Sequence, residues 1–101
     1  MKVILMKTDG STKGIKINSL EEARQIIYDF DYDGDFQEFR LIDDCIILAQ
    51  EKTGNTFSEV NQYATDLAIE MMAISPSDYI TGDAILIEDT DEFEILREND
   101  E

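Results

Sequence analysis

Residues 79–88 read Tyr-Ile-Thr-Gly-Asp-Ala-Ile-Leu-Ile-Glu, and the four apolar residues at 84–87 decide the class of fold. A short continuous apolar run that follows Gly and Asp is typical of a buried strand. A second run of this kind, Val3-Ile4-Leu5-Met6, stands near the start of the chain. The two runs indicate that strands form the core of the protein.

Four further segments carry strand patterns. Asp9-Gly10-Ser11 supplies turn chemistry, so the alternating segment that follows it predicts the second arm of a hairpin. In the last segment the alternation directs Phe93 and Ile95 inward, with Glu92 and Glu94 facing outward. The four predicted strands cover residues 13–17, 36–42, 45–50 and 92–96.

Two segments carry helical periodicity. Ser19 is a good N-cap and is followed by Glu21 and Glu22, which the helix dipole favours, so a helix is predicted over residues 20–29. A second helix is predicted over residues 58–73, because its apolar residues recur at intervals of three and four. Pro76 prevents this helix from continuing.

The predicted order is strand, strand, helix, strand, strand, helix, strand, strand. Hairpin-length links and few helices favour the α+β class. We therefore expect a mostly antiparallel sheet of about six strands, with two helices packed on one face. The length fits a single domain over residues 1–97, and residues 98–101 form a frayed acidic tail.

The charge is distributed unevenly along the chain. The formal net charge is -16, yet residues 1–28 carry a net +2 and residues 29–101 a net -18. Such a surface repels nucleic acids and anionic membranes and attracts basic protein surfaces. There is one cysteine, and no stretch approaches the length of a signal-peptide core or a membrane span. We expect a cytoplasmic protein that binds neither nucleic acid nor membrane.

Two acidic segments, residues 29–44 and 83–101, predict a surface that imitates nucleic acid. Side chains two apart on an extended chain lie on one side at roughly 6–7 Å, a spacing comparable to successive phosphates. If the two segments are neighbours, they form a double row resembling duplex DNA. The candidate residues for this surface are Asp29, Asp31, Asp33, Asp35, Glu38, Asp43, Asp44, Glu88, Asp89, Asp91, Glu92 and Glu94. The bland alternative is a solvated face that only confers solubility.

Several segments carry a family resemblance. They are MKVILMK at the start, residues 19–23, residues 43–48, Asn61, and residues 79–87 with Phe93 and Leu96. In these the chain resembles an uncharacterised family of small proteins of phages and bacterial mobile elements. The family has a glycine-rich turn after its first helix, where this chain has an acidic loop.

The resemblance implies an accessory protein in the cytoplasm of a bacterial host. Many such proteins act on host defence systems. The resemblance therefore suggests such a role by association, because the family has no catalytic signature that this chain could share. The expected partner is a basic nucleic-acid-binding host protein, such as a CRISPR effector or a restriction enzyme, which the acidic surface inhibits. We expect the protein to be a monomer or a homodimer.

Residues 29–40 favour a second function, calcium binding. Carboxylates at Asp29, Asp31 and Asp33 and a glycine at Gly34 match the opening of an EF-hand loop. The twelfth position should supply a bidentate Glu and is Arg40. The candidate metal ligands are Asp29, Asp31, Asp33 and Asp35, and Ca²⁺ is the only candidate cofactor. The alternative is an ordinary turn, in which Asp and Gly are common.

An enzyme is not expected. Cys45 lies among carboxylates at the start of a buried strand, and both features raise the pKa of a thiol. The chain has no histidine to act as a base toward that thiol. The third alternative is a non-enzymatic, oligomeric protein that sequesters a small molecule or mediates interactions, with an apolar pocket at the oligomer interface.

Overall fold

The computed structural model describes residues 1–28, 36–50 and 59–98. It contains five strands and three helices within those ranges. In chain order they are β1 (Lys2–Met6), β2 (Thr12–Lys16), α1 (Leu20–Tyr28), β3 (Phe36–Arg40), β4 (Ile46–Gln50), α2 (Gln62–Glu70), β5 (Ala84–Ile87) and α3 (Thr90–Glu98). The α+β class is confirmed, while the numbers of strands and helices differ from the prediction.

The five strands form one sheet in the order β2-β1-β5-β4-β3, and every neighbouring pair is antiparallel. β5 lies at the centre because its residues 84–87 are apolar without interruption, so it can be covered on both faces. Ala84, Ile85 and Ile87 are fully buried. The apolar run at 84–87 is therefore the central strand of the sheet.

Helices cover both faces of the sheet, which corrects the expectation of two helices on one face. Ile85 and Ile87 pack in one apolar cluster with Phe93 of α3 and with residues of α1. Ala84 packs in a second cluster with Ala64 and other residues of α2. Successive strand residues face opposite sides, so a continuous apolar run needs a cover on each side. We call these the α1/α3 face and the α2 face.

The strand predicted over residues 92–96 is wrong, because this segment belongs to α3. Asp89 caps the helix: its carboxylate accepts a hydrogen bond from the Glu92 amide at 3.0 Å. Phe93 and Leu96, three residues apart, both pack on the α1/α3 face, whereas Ile95 is 59% exposed. The sheet therefore has five strands, and the third helix takes the place of the sixth.

α2 begins later than the predicted residue 58, because Asn61 is its N-cap. The Asn61 side chain accepts a hydrogen bond from the Ala64 amide at 3.0 Å. Residues 51–58 lie outside the described ranges. Among the three helices that the structure describes, none has the length and apolar character needed to cross a membrane.

Candidate protein-docking surface

Described parts of the two acidic segments, residues 43–44 and 88–91, meet at one end of the sheet. Ile46 at the start of β4 pairs with Ile87 at the end of β5. Continuing this antiparallel register sets the turn between β3 and β4 beside the residues that follow β5. We define the acidic end as five exposed residues of these two connections and of the first turn of α3. They are Asp43, Asp44, Glu88, Asp89 and Asp91.

The acidic end lacks ion pairs within the described part of the chain, and of its five residues Glu88 lines an open hollow together with Lys2 and Lys16. No residue of the acidic end forms an ion pair with another described residue. Asp43 accepts a hydrogen bond from the Cys45 amide at 3.2 Å, and Asp89 caps α3, so the local backbone fixes both carboxylates. Asp44 has a positive φ of 65°, which Asp tolerates better than most residues. The acidic end is thus an exposed group of carboxylates that form no ion pair with described residues, and the local backbone holds two of them in place.

Carboxylates of both connections lie close enough to Cys45 to affect the pKa of its thiol. Burial raises the pKa of its thiol, and the Asp43 carboxylate raises this pKa further through a hydrogen bond and its charge. The charges of Glu88 and Asp44 act in the same direction. The predicted direction of the thiol pKa is confirmed, with burial as the main cause and carboxylates of both connections as further causes.

Three of the predicted surface residues are neutralised instead. Glu38 pairs with Arg97, and Glu94 pairs with Arg40 at 3.0 Å, so both ion pairs join β3 to α3. Glu92 lies 3.5 Å from the amino group of Met1. The double row that placed Glu92 and Glu94 on the outer face of a strand is wrong, because residues two apart on a helix point in different directions.

Four predicted residues, Asp29, Asp31, Asp33 and Asp35, lie outside the described residues. Their roles in the acidic ladder and in the calcium loop therefore stay predictions. Within residues 1–28, 36–50 and 59–98, no group of three or more Cys, Asp or Glu side chains is arranged to hold a metal ion.

Two lysines that the sequence analysis did not single out are candidate binding residues. Lys2 of β1 pairs with Lys16 of β2, so both side chains lie on the α2 face. Glu88 lies with them around an open hollow. The hairpin turn at residues 9–11, together with the strand alternation on either side of it, is the sequence signal that relates the two lysines.

Comparison of the chain with protein-family models, with curated proteins and with solved structures gives no match. The similarity to small phage and mobile-element proteins therefore stays a prediction. Function is therefore inferred from the chemistry of the described surfaces, because a fold by itself does not imply a function.

Proposed function

We propose that this protein acts by binding, and that its acidic end docks on the basic nucleic-acid site of another protein. One observation carries the proposal: two acidic connections, far apart in sequence, meet at one exposed end without a described ion-pair partner. Random acidity on a solvated face does not require such convergence. A site built from Lys and Arg to contact phosphates accepts carboxylates at similar spacing.

The net charge of the whole chain supports the same function. A charge of -16 on 101 residues steers the protein toward basic partners and accelerates encounter at low salt. It also repels DNA, so the protein competes with nucleic acid for the partner rather than joining it. The interaction is therefore expected to weaken with salt and to be displaced by duplex DNA.

The finer proposal concerns the partner. The sequence segments that resemble phage and mobile-element proteins suggest an accessory protein that inhibits a host defence nuclease. A CRISPR effector or a restriction enzyme has the required basic groove, because each holds nucleic acid through its phosphates. The proposed action is occlusion of that groove.

The test uses a triple variant, Asp43→Asn, Asp44→Asn and Glu88→Gln. Asn tolerates the positive φ of residue 44, so the turn is kept. The matched control removes three exposed carboxylates near α2 by the changes Glu59→Gln, Asp66→Asn and Glu70→Gln. Both variants change the net charge by the same amount.

Protein captured from bacterial lysate at low salt is identified, purified and titrated with each variant and with competing duplex DNA. Loss of three exposed charge pairs is expected to weaken binding by about tenfold. The control variant is expected to bind within about twofold of the wild type. Equal weakening by both variants would show that only the net charge matters, and binding that DNA does not displace would contradict occupation of a nucleic-acid site.

A further inference from the structure

An open hollow of about 480 Å³ lies on the α2 face, over β1 and β2. Its floor is apolar and includes Ile4 of β1 and Gly14 of β2, which pair with each other. Leu86 of β5 pairs with Ile4 and adjoins the hollow. Ile4 and Leu86 are both partly exposed. Lys2, Lys16 and Glu88 stand at its rim. The hollow therefore combines an apolar floor with charged groups along one side.

Gly14 lies in the lining of this hollow and leaves the space above it open. A Cβ atom added at Gly14 would meet nothing within 4 Å, and the backbone there does not adopt a positive φ. Glycine in the interior of a strand costs stability and often marks close approach by a ligand or another backbone. Neither crowding nor backbone conformation requires glycine at residue 14. The open space above Gly14 is therefore available to a ligand.

The two lysines form a like-charge pair across adjacent strands. Met1 and Ile17 exchange both backbone hydrogen bonds at 2.9 Å. The next pair, Lys2 and Lys16, is therefore of the non-hydrogen-bonded kind, in which side chains approach most closely. Like charges directly opposite each other destabilise a sheet. Neither lysine has an ion-pair partner among the described residues.

We propose that this hollow binds a small monocarboxylate with an apolar body. The carboxylate lies between the two ammonium groups and relieves their repulsion, and the apolar body covers Gly14 and Ile4. Glu88 on the far side of Lys2 disfavours a second negative charge, so the preferred ligand carries one. This site shares Glu88 with the acidic end, but its other lining residues lie outside the docking surface proposed there.

The test is a titration of isotope-labelled protein with octanoate, followed by NMR, with octanol as the uncharged match. Octanoate is expected to shift amides of residues 2–4, 14–16 and 86–88 in a saturable way, within about 10 mM for a ligand of this size. Octanol is expected to bind about tenfold more weakly, because it lacks the charge-assisted contacts.

Three variants locate the site. Lys16→Gln is expected to weaken octanoate binding about fivefold, while Lys13→Gln removes the same charge from the opposite face of the same strand and leaves binding nearly unchanged. Gly14→Leu fills the hollow and abolishes saturable binding, with the fold checked by the same spectra. Glu88→Gln removes a repelling charge and strengthens binding.

Other results would overturn the proposal. Absence of saturable shifts up to about 10 mM, or equal binding of octanol, would remove the carboxylate site. Equal weakening by the two lysine variants would show that only long-range charge acts. Shifts at the hollow that follow protein concentration without octanoate would show that a second copy of the chain covers this face.

Discussion

Asn61 joins three parts of the molecule through one buried side chain. Its amide group donates to the Met6 carbonyl at 2.8 Å and to the Gly82 carbonyl at 2.9 Å. Its oxygen accepts from the Ala64 amide and caps α2. The end of β1, the approach to β5 and the start of α2 are therefore held together by hydrogen bonds away from solvent. Buried polar groups of this kind stabilise a fold only while all of them are satisfied.

Asn61→Ala is expected to lower the free energy of unfolding by about 3 kcal/mol, since it removes a helix cap and leaves two buried carbonyls without their donor. Urea unfolding at neutral pH measures the change. Asn18→Ala is the control, because the exposed Asn18 side chain makes no hydrogen bond with a described residue. Equal stability of the two variants would contradict the structural role of Asn61.

Cys45 reports the potential of the acidic end. Asp43→Asn is expected to lower the pKa of the Cys45 thiol, because it removes a negative charge while the effect of burial remains. The pH dependence of alkylation by iodoacetamide measures this pKa, and Asp66→Asn is the remote control. An unchanged pKa in Asp43→Asn would contradict the described geometry.

The raised pKa of this thiol also links stability to pH. The folded state favours the protonated thiol, so the contribution to stability is complete below the ordinary thiol pKa. It is lost as the pH rises through the folded-state pKa. Cys45→Ser should therefore make stability less sensitive to alkaline pH.

Among the elements, α3 depends on its N-cap residue, Asp89. Asp89 caps the helix through the Glu92 and Phe93 amides, the first by its side chain and the second by its carbonyl. Asp89→Ala is expected to cost about 1 kcal/mol in urea unfolding, and Asp89→Ser should recover most of it. Asp91→Ala, which alters only the charge near the helix dipole, should cost less than half as much. A loss in Asp91→Ala as large as that in Asp89→Ala would contradict the cap.

The sequence pattern of α3 is compatible with either a strand or a helix. The alternation from Glu92 to Ile95 fits a strand, but Phe93 and Leu96 also fit one face of a helix, and the Asp89 cap decides between them. The apolar runs at 3–6 and 84–87 predict their strands because no other short element buries so many residues. The neighbours of these strands in the sheet depend on long-range pairing that no local pattern records. The same pairing brings Asp43 and Glu88 near Cys45.

The placement of the helices escapes prediction for a related reason. A continuous apolar strand such as β5 has two faces to cover, yet a sequence pattern does not say which helix takes which face. α1 and α3 share one face through Ala23 and Phe93, and α2 takes the other through Ala64 and Ala68. The residues of α2 that pack in this cluster include two fully buried alanines, Ala64 and Ala68.

For the whole molecule, the net charge of -16 determines how stability responds to salt. The principal extents are 35 × 32 × 22 Å, comparable to the Debye length of about 30 Å at 0.01 M salt. At that ionic strength nearly every carboxylate repels every other, whereas at 0.15 M the range falls to about 8 Å. Raising the salt from 0.01 to 0.15 M is therefore expected to stabilise the wild type, raising its Tm by several degrees.

The distribution of charge, and not only its sum, decides how large this stabilisation is. The triple variant at residues 43, 44 and 88 removes carboxylates that repel one another closely, so its Tm should depend on salt less than that of the α2 control triple. Thermal unfolding of the three proteins at both salt concentrations measures the difference. Equal salt dependence of the two variants would mean that the acidic end holds no concentration of charge, and the docking function would then lose its electrostatic basis.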